Sequence, residues 1–416
     1  MSTRLKTTPL NEWHKNAGAN MADFGGYEMP LWYNTGVKNE HLGVLTSAGI
    51  FDTSHMACID VRGEDAYSLL NYCFTRDLDS LVNGRCVYGA FLNEKGHCVD
   101  DAIVYKFTDT VFMICVNAGM GGVVAGHIDG RSSGLSVTVT DLTDTVAKMD
   151  IQGINAARIL SGLIRDPETV FDQMPYFSFK GNFNKSEYGE SPVKLTDGTP
   201  LLLSRSGYTG EFGFEIFIAP DAVVQLWKDT LNQGEAFGIT ACGLGSRDSL
   251  RAGACLPLSH QDIGDWKFIN HPWEFALPYG PDGKSFTKNF IGKAALCDPP
   301  KDRFIFPFVG DSLRKVAAND ATQVLDTRGD NIGRVLTCAT DMGITWHQGN
   351  IVSIRSADLP RDVKIKGISC GFVMVRKYLE PGTVLTLQEG KRTIKATIVT
   401  DIRPDRTARK KLDNFI

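Results

Sequence analysis

The 416-residue sequence predicts an α+β fold, in which antiparallel sheets carry helices and a C-terminal antiparallel β-barrel follows. Three observations predict it. Strand-like runs between residues 57 and 152 follow one another with short turns and few helical interruptions, an order that builds hairpins rather than alternating β-α-β units. The stretch Cys297-Asp298-Pro299-Pro300-Lys301-Asp302 then breaks the pattern with proline and charge, dividing the chain into residues 1–297 and 298–416. Beyond it, six short runs at 303–309, 330–338, 350–354, 368–375, 384–389 and 393–399 read as strands separated by turn signals, enough for a small barrel.

Taken in order, residues 10–18 read as a short helix with Trp13 as its apolar anchor and Gly18 as its stop. Residues 21–33, dense in aromatics and broken by Gly25, Gly26 and Pro30, read as a loop that packs on itself. A helix at 40–49 leads to Phe51-Asp52-Thr53-Ser54-His55-Met56. A Ser-His-Asp triad there is a weak reading, because triads are defined by geometry and these residues are sequence neighbours. Strands follow at 57–61, 86–92, 98–105, 110–117, 135–139 and 145–152, with helices at 64–73 and 154–161. Two strands flank Gly207-Tyr208-Thr209-Gly210, an amphipathic helix covers 223–232, and Gly243-Leu244-Gly245-Ser246-Arg247 opens another. Ser246 is its candidate cap, and Arg247 stands near its start, an unfavourable place for a cation. The long loop at 256–279 holds His260, Asp262, Trp266, His271, Trp273 and Glu274, and its two histidines read as satisfied surface residues.

Composition narrows the function. The formal charge of −4 argues against a general nucleic-acid or membrane surface, which needs a basic excess. The basic tail, Arg403, Arg406, Arg409, Lys410 and Lys411, reads as a solvated end. No apolar run approaches the roughly 20 residues that span a bilayer. The first nine residues carry no apolar signal core, so the expected compartment is the cytoplasm. Ten cysteines form no C-x-x-C pair, and eight histidines show no metal-ligand spacing. Reduced thiols and no metal are therefore expected.

Chemistry concentrates in two places. Asp100 and Asp101 interrupt the β-branched run Cys98-Val99-Asp100-Asp101-Ala102-Ile103-Val104-Tyr105, where a buried charge must be paired or neutralised. Strand alternation puts Val99, Asp101, Ile103 and Tyr105 on one face and Asp100, Ala102 and Val104 on the other. Asp101 is thus either a carboxylate held in a poorly solvated site or, with Asp100, one of a solvated edge-strand pair. Tyr208 occupies an exposed turn where a flat ligand can stack. Glu215, in the apolar strand that follows, either grips an amino-imino edge through two hydrogen bonds or is a structural glutamate behind a hairpin tip.

With Asp100-Asp101, Asn117, Gly207-Tyr208-Thr209-Gly210-Glu211 and Gly243-Leu244-Gly245-Ser246-Arg247-Asp248 in this order, the chain resembles the aminomethyltransferase family, the T-protein of the glycine cleavage system. Phe24-Gly25-Gly26, Glu28-Met29-Pro30, Phe51-Asp52, Ser54-His55-Met56 and Phe290-Ile291-Gly292-Lys293 add to a likeness that runs from about residue 8 to 297 and continues weakly beyond. The resemblance implies a three-lobed body, with residues 1–297 forming two intertwined α+β lobes around tetrahydrofolate and a one-carbon unit passed to that folate. By the same resemblance Asp101 is the essential acid, and Tyr88, Tyr105, Asn117, Tyr208, Glu215 and Arg247 line the folate pocket. The implied donor is a glycine remnant on a lipoyl carrier protein. A related reading is a demethylase of a small S-, N- or O-methyl compound giving 5-methyl-tetrahydrofolate, and a third is a non-catalytic folate-binding protein, against which Asp101 speaks. The chain departs from the family's Leu-Tyr-Gly-Gln-Asp stretch with Leu256-Pro257-Leu258-Ser259-His260-Gln261-Asp262, and from its Thr-Ser-Gly segment with Leu336-Thr337-Cys338-Ala339-Thr340-Asp341. Residues 341–367 read as an insertion. These departures lie where access of the donor or its carrier would be decided.

Overall fold

Apolar side chains recur at alternate positions through residues 57–116, and antiparallel pairing follows. The computed structural model describes residues 4–357 and 359–416. It orders five antiparallel strands as Arg85–Leu92, Cys98–Thr108, Val111–Val116, Ala57–Arg62 and Thr138–Asp141. The helices Ala66–Cys73 and Gly121–Asp129 cover one face, where Leu69, Leu70, Val124 and Ile128 join Ile59, Val104 and Ile114 in a buried cluster. Register slips at the end of the first pair: Phe91 lies opposite Asp100, but Leu92 lies opposite Cys98. Val99 is therefore the extra residue of a β-bulge beside the two aspartates.

A second sheet orders Phe179–Gly181, Leu202–Ser204, Gly213–Ile218, Ala147–Gln152, Gly49–Asp52 and Thr240–Ala241, the last running parallel to its neighbour. The helices Ala156–Ser161 and Val223–Gly234 pack on it through Ile159, Leu160, Leu226 and Trp227 against Met149, Ile151 and Ile216. The faces that carry no helices meet each other. Tyr105, Met113 and Cys115 of the first sheet share a cluster with Leu202 and Phe217 of the second.

The C-terminal region closes into a six-stranded barrel, ordered Phe304–Gly310, Ile368–Val375, Asn331–Asp341, Thr322–Leu325, Val384–Glu389 and Arg392–Ile398. Five of these strands are those expected. The run at 350–354 instead pairs with Ile344–His347 in a separate hairpin, Asn350–Ser353, and Thr322–Leu325 takes its place. A cluster containing Ala90, Leu92, Trp273, Phe290, Val309, Leu336 and Phe372 runs without a break from the first sheet to the outside of the barrel.

Two further expectations are corrected. Residues 21–33 are not an irregular loop but the hairpin Asn20–Phe24 and Tyr27–Trp32. Its two-residue turn is Gly25-Gly26, at φ 60° and 82°, the conformation that hairpin turns of this length require. In the basic tail, Arg403 is buried, held between Asp341 and Glu211, with its Nε 3.2 Å from Glu211 Oε1. Among the described residues no helix is long and apolar enough to cross a membrane.

Candidate active site

A cavity of about 620 Å³ is lined by both sheets, by the helix Leu244–Gly253 and by the loop at 257–261. Its most constrained group is Asp101. The Tyr88 hydroxyl donates to Asp101 Oδ2 at 2.8 Å, and the Asn117 amide nitrogen donates to Oδ1 at 2.7 Å. The same amide nitrogen donates to Asp100 Oδ1 at 2.8 Å, while the Asn117 backbone N–H donates to Asp100 Oδ2 at 2.9 Å. Asp100 is fully buried and also accepts from Ser259 Oγ at 3.0 Å, with His260 Nε2 at 3.2 Å. Pairing is regular from Asp100 onward, so Asp100 and Asp101 keep opposite faces as alternation gives, and Asn117 at the end of the next strand reaches both; the bulge instead turns Val99 toward the helix-covered cluster.

Two adjacent carboxylates cannot both ionise freely in such a place. Burial first, and then the charge on Asp100, push Asp101 up to about 6, against the hydrogen bonds from Tyr88 and Asn117 that favour its anion. Asp101 is therefore an acid–base group that changes state close to neutrality.

The second sheet contributes a buried charge network. Lys148 Nζ donates to Asp150 Oδ1 at 2.6 Å and to Glu215 Oε1 at 2.5 Å, and Ser206 Oγ donates to Glu215 Oε2 at 2.5 Å. Arg247 Nη1 donates to Asp150 Oδ2 at 2.7 Å, and its guanidinium lies 4.9 Å from the Tyr208 ring centroid. Burial opposes ionisation of Asp150, but Lys148 and Arg247 outweigh it and hold the carboxyl below its ordinary range. The cation at the start of the helix is thus compensated by an anion from another sheet.

Distant residues fix these elements in place. Glu40, not Ser246, caps the helix Leu244–Gly253: its Oε2 accepts from Gly243 N–H and from Ser246 Oγ, both at 2.9 Å. The loop at 257–261 is pinned through Asp262, which accepts from Leu258 N–H at 2.9 Å, from Thr337 Oγ1 at 2.7 Å and from Arg251.

Against known proteins, residues 10–269 match the family model described as the GCVT N-terminal domain. The chain belongs to the aminomethyltransferase family. It is accordingly an enzyme of the transferase class. It is 36% identical over 296 residues to an aminomethyltransferase of Desulfitobacterium hafniense, covering 71% of this chain and 75% of that one. With the aminomethyltransferase of Staphylococcus epidermidis it shares 32% over 337 residues, 80% of this chain and 86% of the other. The crystal structure of the glycine cleavage system aminomethyltransferase T from Bartonella henselae superposes with a TM-score of 0.75 at 26% identity, covering 95% of this chain and 97% of that one.

Of the residues that the family resemblance assigned, Tyr88, Asp101, Asn117, Tyr208, Glu215 and Arg247 line the cavity together. Tyr105 does not. It is fully buried edge-on between Phe179 and Phe217 in the seam of the two sheets. Strand alternation gave its face correctly, but four residues along a strand is about 13 Å. Tyr208 is half-buried rather than at an exposed corner, and its hydroxyl donates to the Pro257 carbonyl. His260 is an exposed, hydrogen-bonded histidine as expected, and it also lines this cavity. His271 is buried. Asp52 pairs with His14, Nε2 at 3.0 Å, and not with His55, so no triad forms there. His55 lines the cavity as a neutral ring, since burial pushes it down to about 4. Sequence reasoning missed Lys148 and Asp150, although two charges spaced i, i+2 in an apolar strand were a usable signal.

Proposed function

We propose that this protein is a tetrahydrofolate-dependent one-carbon transferase that passes an aminomethyl-derived carbon, presented on a lipoyl carrier, to N5 of the folate. The observation that carries the reading is Asp101, tuned to about 6 and held by Tyr88 and Asn117 on the wall of a cavity large enough for a cofactor. The donor set suits a reduced pterin. Tyr208 offers a ring face for stacking, Glu215 retains free lone pairs for an amino-amide edge, and Arg247 suits the carboxylates of a folate tail. The folate, when bound, supplies the nucleophilic nitrogen that accepts the carbon.

The remaining work falls to this chain. Above about pH 6 Asp101 is an anion, which stabilises cationic character at the transferred carbon and takes the proton that the accepting nitrogen gives up. Tyr88 and Asn117 hold its two oxygens in place, and Leu31, Ile103 and Leu244 on the cavity wall lower the local dielectric that strengthens its field.

Incubation with tetrahydrofolate and candidate donors, followed by mass measurement of the folate product, tests the reading. Methylene-tetrahydrofolate is expected. A 5-methyl product from a small S-, N- or O-methyl donor would replace the aminomethyl reading with that of a demethylase. Tight folate binding without any product would point to a non-catalytic protein.

A further inference from the structure

His260 carries an arrangement that the folate reading does not use. Its backbone lies at φ 63°, a region that non-glycine residues seldom adopt, and the loop around it is anchored by Asp262 to Arg251 and Thr337. That fixed frame places the ring on the cavity wall with Nε2 3.2 Å from Asp100 Oδ1, while half of the side chain stays exposed. Asp100 in turn shares the Asn117 amide with Asp101, so His260, Asp100, Asn117 and Asp101 form one connected row. The hydrogen bond to Asp100 raises the imidazole above its ordinary value against the effect of burial, and the charges of Asp100 and Asp101 add to it. The other charged groups on the cavity wall are Glu215, Arg247, Asp248 and Arg251.

We propose that His260 is a second proton-transfer group of this cavity, acting on the donor's leaving group while Asp101 acts at the accepting nitrogen. The accepting side rests on the folate reading above. In the transfer, a bond forms between the accepting nitrogen and the carbon, and the bond from that carbon to its leaving atom breaks, with the electron pair staying on the leaving atom. The imidazolium proton passes to that atom, and the proton of the accepting nitrogen passes to Asp101. The neutral imidazole and the protonated carboxyl then exchange their proton through solvent at the exposed ring. One N–H and one bond from carbon to the leaving atom become one N–C bond and one protonated leaving group; an aminomethyl thioether undergoes the exchange twice, the second time at the folate's other nitrogen, releasing an amine and a thiol. Such a pair suits donors that leave as an amine or an aryloxide, which take up a proton. A sulfonium leaves as a neutral thioether and needs none.

Two measurements decide it. Proton NMR of the whole protein follows the ring assigned by its loss in His260→Gln. Its titration is expected above the free value of about 6.5 and should fall toward it in Asp100→Asn. A ring that titrates as free histidine and ignores Asp100→Asn overturns the proposal, and this readout needs no folate. Folate products are then weighed after incubation with tetrahydrofolate and an aminomethyl thioether of lipoamide, a methoxyarene or a dimethylsulfonium compound. His260→Gln, checked for an unchanged melting temperature, is expected to lose about 100-fold in turnover of the amine- or oxygen-leaving donor. Retained turnover there, or wild-type turnover of the sulfonium donor alone, overturns it. Absence of product from the wild type with every donor refutes the folate reading and removes the proton role with it, whereas a failed titration refutes only the link from His260 to the aspartates.

Discussion

Replacing Asp101 with asparagine should stabilise the protein while disabling it. The carboxyl sits at about 6 in the folded chain, against 3.8 for a free aspartate. That gap of about two units, at about 1.4 kcal/mol each, means that ionised Asp101 costs about 3 kcal/mol of folding stability at neutral pH. The sign follows from the direction of the shift. Between the two values the folded state holds a proton that the unfolded chain has released, so this contribution is favourable at low pH and is lost as the pH rises through about 6. Asparagine keeps an acceptor for Tyr88 and removes the repulsion from Asp100, but turns an NH2 toward the Asn117 amide nitrogen and so returns part of the gain; Asp101→Asn should unfold at higher urea concentration than the wild type at about pH 7.5, by about 1–2 kcal/mol. Near pH 4 the gain should vanish. Turnover should fall by about 100- to 10,000-fold, with folate binding nearly intact. A variant that is less stable at neutral pH, or a stability difference that does not change with pH, would refute the reasoning about the paired carboxylates.

Three other substitutions probe the supporting structure. Tyr88→Phe removes a hydrogen bond that favours the Asp101 anion, so the acidic limb of the pH–turnover profile should move up by about half a unit to one unit; an unmoved limb would show that Asp101 is not the group titrating. Gly25→Ala puts a Cβ at φ 60° only 2.6 Å from Ala118 Cβ, next to Asn117. It should cost about 1–3 kcal/mol in chemical denaturation and weaken folate binding measured by calorimetry. Lys148→Met leaves Asp150 and Glu215 short of a cation in a buried place, and about 3–5 kcal/mol of stability should be lost; a neutral effect in urea unfolding would mean that Arg247 alone balances the network.

Much of the cavity was legible because its parts lie in short, chemically odd segments. Two aspartates in a β-branched run and an arginine at a helix start each contradict their local setting, whereas Tyr88 and Asn117 came from the family resemblance alone. The bulge at Val99 was not legible, since register depends on the partner strand, and with it went the face of Val99, which was expected beside Asp101. Tyr105 shows the limit of alternation, which reports a face but not whether the cavity extends that far. The hairpin at 20–32 was hidden by its aromatics, although Gly25-Gly26 was the turn signal. The barrel strand Thr322–Leu325 is only four residues long and lacks a run of its own. The anchoring of the 257–261 loop by Thr337 and the capping of a helix by Glu40 join residues 75 and more than 200 positions apart, and only the fold brings them together.

A crystal structure of the protein with tetrahydrofolate would show whether the cavity beside Asp101 holds the pterin. Pterin density is expected against the Tyr208 ring, with its amino-amide edge on Glu215 and its reactive nitrogen beside the Asp101 carboxylate. Folate density at another place on the molecule, or an unfilled cavity at saturating folate, would contradict it.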